Sequence, residues 1–189
     1  MPPKVKVTKE DIINAAAHVI RENGASALNA RAVAARLGAS TQPIFSHYHT
    51  MEALRADVIS YANELYQSFL QRDMTSGEYP VYKASGIAYI RFAREEKELF
   101  KLLFMRDRSR EEIPQNLDEV KPILQIIQKN TGLSEQDAFL FHLEMWVYVH
   151  GIATMIATSY LEWNGDMISK MLTDSYEGLK ARYCGKEEK

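Results

Sequence analysis

The sequence is short of the residues that staple a chain, break it or carry it through a membrane. It contains one cysteine, Cys184, in 189 residues, which excludes an internal disulfide and a zinc site built on several cysteines. A reducing, cytoplasmic setting is expected to go with it. Glycine and proline number only nine and six, and they fall where helices would begin or end. Neither an alternating strand pattern nor an internal repeat is present. No apolar run follows the N-terminal charges, so a secretory leader is not expected. The most apolar stretch, Trp146 to Leu161, is interrupted by His150 and several hydroxyls. It reads as a buried helix, too short and too polar for a membrane span. The chain also lacks a nucleophile–base pair and a glycine-rich phosphate loop, so neither an enzyme nor a bound cofactor is expected. His47 and His49 stand close together, but no third ligand is spaced nearby to complete a metal site.

What is present is a globular composition, 46% hydrophobic and 25% charged, long enough for one large domain or two small ones. The net charge of −2 argues against a general nucleic-acid coat. The charge is unevenly spread. Residues 1–55 hold seven Lys and Arg against four acids, leaving 16 basic and 21 acidic residues for the remainder. A mildly basic head on an acidic body fits a DNA-reading module attached to something else.

The pattern is helical almost throughout. Thr8 caps a first helix from about Lys9 to Asn23, with Glu10 and Asp11 favourably placed in its first turn and Gly24 as its stop. Ile12, Ala16, Val19 and Ile20 form its apolar face. Asn29 caps a short helix over about Ala30–Leu37, ended by Gly38. Ser40 is expected to cap a third, about Thr41–Tyr48, with Pro43 tolerated in its first turn. Thr50 starts a long fourth helix reaching about Arg72, roughly 33 Å at ~1.5 Å per residue. Further helices are expected over about Val81–Glu95, Glu98–Met105, Gln115–Asn130, Glu135–Leu161 and Asp166–Tyr183. The Glu135–Leu161 helix opens on a capping-box pattern, Ser134 and Asp137, and is apolar on nearly every side, which predicts burial all round.

The informative stretch is Asn29 to Leu54. Two short helices separated by Gly38-Ala39-Ser40 have helix-turn-helix spacing: the first braces, the glycine permits the turn, and the second offers its N-terminal residues to the major groove. Spacing alone favours an ordinary helical hairpin. The order Gly38-Ala39-Ser40, Ile44-Phe45, His47-Tyr48, Thr50, Glu52, Leu54, preceded by Asn29-Ala30-Arg31-Ala32-Val33-Ala34, closely resembles the signature of the TetR family of transcriptional regulators. Thr8 to Gly24 resembles that family's first helix. Trp146-x-x-x-His150-Gly151 and the segment Tyr89 to Phe100 look like one TetR subgroup.

The resemblance implies an all-α chain with an N-terminal three-helix DNA-binding domain over residues 1–55 and a helical ligand-binding and dimerisation domain over 56–189. It implies DNA contacts from Thr8, Asn29, Arg31, Ser40, Thr41, Gln42, Phe45, His47 and Tyr48. Gln42 suits a bidentate contact to adenine, and an aromatic edge such as Phe45 can pack on a thymine methyl. Lys4 and Lys6 offer a flanking arm. Two departures weaken the phosphate-binding part: Phe45 stands where the family usually has Tyr, and Met51 where it usually has Lys. The expected partners are a near-palindromic double-stranded operator, a second copy of the chain paired through the two C-terminal helices, and a small, flat, apolar effector. Its pocket is expected among Phe100, Phe104, Phe139, His142, Trp146, His150 and Met155. Repression relieved by that effector is the leading expectation. A helical small-molecule carrier, or a regulator controlled without such a ligand, are the alternatives.

Overall fold

The computed structural model describes residues 7–107 and 120–185. Among them every regular element is helical, as expected for an all-α chain. Two compact units result, one formed by the chain through Gln67 with Glu96–Arg106, the other by Ser68–Glu95 with the residues from Asp107 onward. Lys4, Lys6 and residues 115–119 of the expected seventh helix lie outside the described residues.

The first unit contains α1 (Lys9–Asn23), α2 (Ala30–Leu37), α3 (Gln42–His47), the first two-thirds of α4 (Met51–Thr75) and α6 (Lys97–Phe104). Thr8 and Asp11 close a reciprocal cap. The Asp11 amide donates to Thr8 Oγ1 at 3.1 Å, and the Thr8 amide donates to Asp11 Oδ2 at 2.9 Å. The Thr8 amide, and with it the Thr8 hydroxyl donating to the same oxygen at 2.7 Å, hold the Asp11 carboxyl below its ordinary pKa. The face read from the sequence is the buried one: Ile12, Ala16 and Ile20 have no exposed surface. Gly24 stops the helix at φ +80°, a backbone region that side chains disfavour. A 3₁₀ turn, Ala25–Ala27, follows. The turn was not expected, because Ala-Ser-Ala carries no turn signal.

Helix α6 packs against α1. The Arg21 guanidinium forks onto Glu96, with Nε donating at 2.7 Å and Nη2 at 2.8 Å. Glu96 is the residue at which the chain leaves α5 and starts α6.

The second unit holds the end of α4, α5 (Val81–Glu95), α7 (Lys121–Thr131), α8 (Glu135–Ala157) and α9 (Gly165–Cys184). Helix α5 lies along α8, α7 packs on α8, and α9 touches both α5 and α8. Gly86 makes the closest approach possible: a Cβ there would sit 3.4 Å from Val149 and 3.5 Å from Leu172. Phe141, fully buried, sets its ring against Tyr176 and Tyr183 at 5.3 and 5.8 Å. Leu124, Ile127, Ala138 and Met145 close around it.

Helix α8 departs from expectation. It is not buried all round. Ala138, Phe141, Met145, Val149, Ile152 and Ile156 face the core, while Leu140, Leu143, Trp146 and Val147 are exposed, Val147 at 58%. The packed helices cover only part of its circumference, and a helix apolar on every side gives no phase from which to foresee the open stripe. At 23 residues, α8 is also long and apolar enough, by length and composition alone, to cross a membrane. The helix expected to reach Leu161 ends at Ala157, so only the part of the Trp146–Leu161 stretch up to Ala157 belongs to it. Three of its polar groups find partners within the unit: Glu144 accepts from Tyr183 at 2.9 Å, and His142 and His150 each meet a tyrosine of α5.

Candidate nucleic-acid interface

The α2–α3 hairpin is built by local chemistry. Asn29 caps α2 by accepting from the Ala32 amide at 3.0 Å, and its own amide group donates to the Ala27 carbonyl at 3.0 Å. At the other end Gly38 adopts the left-handed conformation, φ 61°, ψ 30°. The Gly38 and Ala39 amides donate back to the carbonyls of Ala35 and Ala34 at 3.2 and 3.0 Å, the paired bonds of a Schellman stop. The chain then re-enters helix at Gln42. The residue at the N-cap of α3 is Thr41, and it makes no side-chain cap bond. This corrects the expectation that Ser40 caps the helix. Thr41 is already in the right-handed helical region, so the boundary moves one residue past the serine.

Helix α3 is six residues long and is anchored by Ile44, which has no exposed surface. Opposite it, Gln42 is exposed, Phe45 is 49% exposed and Thr41 is half-buried. Ser40 and Arg31 are exposed as well. A large aromatic ring held open to solvent in the middle of a short helix is an uneconomical way to finish a core, and a suitable way to meet a base edge.

The other four predicted residues are occupied with protein partners. Thr8 and Asn29 spend their polar atoms on caps. His47 Nε2 lies 3.1 Å from the Val7 carbonyl, to which it donates. Tyr48 is 4% exposed, and its hydroxyl donates to Asp57 of α4 at 2.8 Å. The same carboxylate oxygen takes the ammonium of Lys9 at 2.7 Å, and that ammonium lies 5.4 Å from the centre of the Tyr48 ring. Lys9 first, and Tyr48 second, hold the Asp57 carboxyl below its ordinary range. Burial, reinforced by Asp57, pushes the Tyr48 phenol well above its own. Asp57 carries no signal in the sequence that would have singled it out, being one acid among several on a long amphipathic rod.

The seven residues expected to line a pocket divide between the two units. Phe100 and Phe104 belong to the first. Phe100 is fully buried, and Phe104 packs its ring between Phe100 and Tyr66, at 5.1 and 5.3 Å. Phe139, His142, Trp146, His150 and Met155 belong to the second. There two tyrosine–histidine pairs cross from α5 to α8: Tyr82 to His142 Nδ1 at 3.1 Å, and Tyr89 to His150 Nδ1 at 2.8 Å. Trp146 stacks on His150 with ring centres 5.1 Å apart and planes 14° from parallel. Burial lowers the pKa of both histidines. Phe139 is half-buried against the Phe141 cluster, and Met155 is exposed.

Comparison with known proteins places this geometry in context. Residues 12–58 match the profile of bacterial regulatory proteins of the tetR family, and residues 82–175 match that of the tetracyclin repressor-like C-terminal domain. Comparison of the sequence with curated proteins finds no match. Among solved structures, a TetR-like transcriptional regulator from Rhodococcus sp. RHA1 superposes with a TM-score of 0.68 at 16% identity, covering 97% of this chain and 99% of that one. The multidrug binding protein EbrR, solved with imidazole, gives a TM-score of 0.58 at 15% identity over 88% of both chains. A TetR variant from Acinetobacter baumannii AYE in complex with minocycline gives 0.57 at 16% identity, covering 94% of this chain and 97% of that one.

Proposed function

This chain belongs to the TetR family of bacterial regulators and is one of its DNA-binding transcriptional regulators; from that premise we propose that it is a homodimeric, cytoplasmic repressor released from a near-palindromic operator by a small apolar effector. The observation that carries the reading is the presentation of Gln42 and Phe45 to solvent, beside a half-buried Thr41, on a short helix fixed behind a left-handed glycine. Gln42 reads adenine through its amide and Phe45 packs on a thymine methyl. Arg31 and Ser40 contact phosphate, and such contacts fix register without carrying sequence.

Dimerisation is supported by the exposed stripe on α8. Leu140, Leu143 and Val147 recur at helical spacing and are uncovered in the single chain, as expected of a face shared with a second copy in a four-helix arrangement. Two copies then place two reading helices about 34–36 Å apart, one turn of DNA. In this reading the DNA-binding domain occupies residues 1–55, and residues 56–189 hold the effector and the dimer contact. Effector binding is supported by the small molecules present in the EbrR and Acinetobacter structures. It is also supported by the Tyr82–His142 and Tyr89–His150 pairs, which place hydrogen-bonding groups within an otherwise apolar helix packing. Effector and operator compete for two conformations of one molecule, so each weakens the other by the same factor.

Fluorescence anisotropy against DNA flanking the protein's own gene, at physiological salt, tests the reading. Saturable binding at two chains per duplex, far tighter than to random DNA, is expected. Equal affinity for both DNAs would refute a sequence reader.

A further inference from the structure

The last two residues of the reading segment point back into the protein, and both tie it to elements that make no base contact. Tyr48 donates to Asp57 of α4 at 2.8 Å, and Lys9 at the start of α1 meets the same Oδ2 at 2.7 Å. Lys9 also faces the Tyr48 ring at 5.4 Å, so the three groups close a triangle. Next to it His47 holds the Val7 carbonyl at 3.1 Å. Helix α3 is six residues long with one fully buried side chain, Ile44. So short a helix has little intrinsic stability and takes its direction from what grips its ends. Its N-terminal end has no side-chain cap. Its C-terminal end is gripped by a charge-assisted hydrogen bond, the stronger kind.

We infer that Asp57 is a positioning residue for DNA reading, the point at which α4 sets the direction of the recognition helix and the start of α1 together. It touches no DNA itself. It holds Tyr48, and through Tyr48 the angle at which Gln42 and Phe45 meet the groove. Lys9 neutralises the carboxylate, so that Asp57 does not repel the phosphates that the head approaches. Because Asp57 stands on α4, a rotation of that helix alters the grip on α3 directly. The inference rests on the DNA-reading function proposed above.

The test is operator affinity of the full-length protein for Asp57→Asn, Tyr48→Phe and the double variant, with thermal unfolding and random-DNA binding measured on each. Asp57→Asn keeps the shape and removes the charge, and Tyr48→Phe removes only the donor. Each single variant is expected to lose about tenfold in operator affinity, the worth of one hydrogen bond to a charged group. Random-DNA affinity does not fall, and unfolding temperature drops only slightly, since each variant weakens one bond of the fold. The double variant loses no more than the more affected single one, because both act on the same Tyr48–Asp57 contact. Should Asp57→Asn fail to fold, Tyr48→Phe asks the same question from the other side. Operator affinity within twofold of the parent, additive losses, or equal losses on operator and random DNA would each overturn the inference. A parent chain that does not distinguish operator from random DNA would instead show that the DNA-reading function itself is wrong, and the inference would fall with it.

Discussion

At the scale of single residues, the head depends on a few positions that no other amino acid fills equally well. Gly38 has φ +61° with open space around the place a Cβ would take, so a substitution there costs backbone strain and causes no clash. Gly38→Ala is expected to destabilise the protein by about 1 kcal/mol, and Gly38→Asn by less, since Asn tolerates the left-handed region. Chemical denaturation of the two variants checks the order; an Ala variant as stable as the parent would contradict the turn geometry. Phe45 and Met51 act on another observable. Each replaces a residue type that would add a phosphate contact, so the salt dependence of DNA binding should be shallow for a dimer of this kind. A log–log slope near −8 or steeper would mean that phosphate contacts have been undercounted.

At the scale of elements, what was legible in the sequence was what the chain fixes locally. Thr8 with Asp11, Asn29, Gly38 and Ser134 with Asp137 announced their helix ends because a cap bonds within three residues of itself. The buried face of α1 followed from spacing. Contacts made by residues far apart in sequence left no such mark. The Arg21–Glu96 fork joins residues 75 apart, and the triangle of Lys9, Tyr48 and Asp57 joins three helices or helix ends. For the same reason Tyr48 and His47, read as DNA contacts, are found bonded to protein groups.

The fork has a measurable weight. Both its partners are half-buried, and Glu96→Gln, which leaves the Arg21 guanidinium without its carboxylate, is expected to cost about 2 kcal/mol. Urea unfolding of that variant is the check; a loss below about 0.5 kcal/mol would mean the fork is dispensable.

The α5–α8 contact carries a pH dependence. His142 and His150 titrate lower in the folded chain than in the unfolded one because burial disfavours their charge. Between the folded and unfolded values the unfolded chain binds more protons, so stability rises with pH across that window. It is fully present above the ordinary histidine value of ~6.5 and is lost as pH falls below it. Unfolding temperature should therefore drop between about pH 7 and pH 5, and His142→Gln should flatten that drop. An unchanged profile in the variant would remove His142 from the account.

At the scale of the whole molecule, the outstanding feature is a helix with more apolar surface than the other described residues cover. Val147→Glu places a charge in the middle of the exposed stripe of α8. It is expected to shift the protein from dimer to monomer in sedimentation measurements while leaving the helical signal intact. A Val147→Glu variant that remains dimeric would move the dimer contact elsewhere.

The central claim, that α3 reads bases through the side chains it shows to solvent, is tested most directly by Gln42→Ala. Its affinity for operator and for random DNA is compared with that of the parent under one salt condition. Loss of a bidentate base contact predicts a fall of about 10-fold to 100-fold on the operator, with random DNA unaffected. An equal fall on both DNAs, or none on either, would contradict the account.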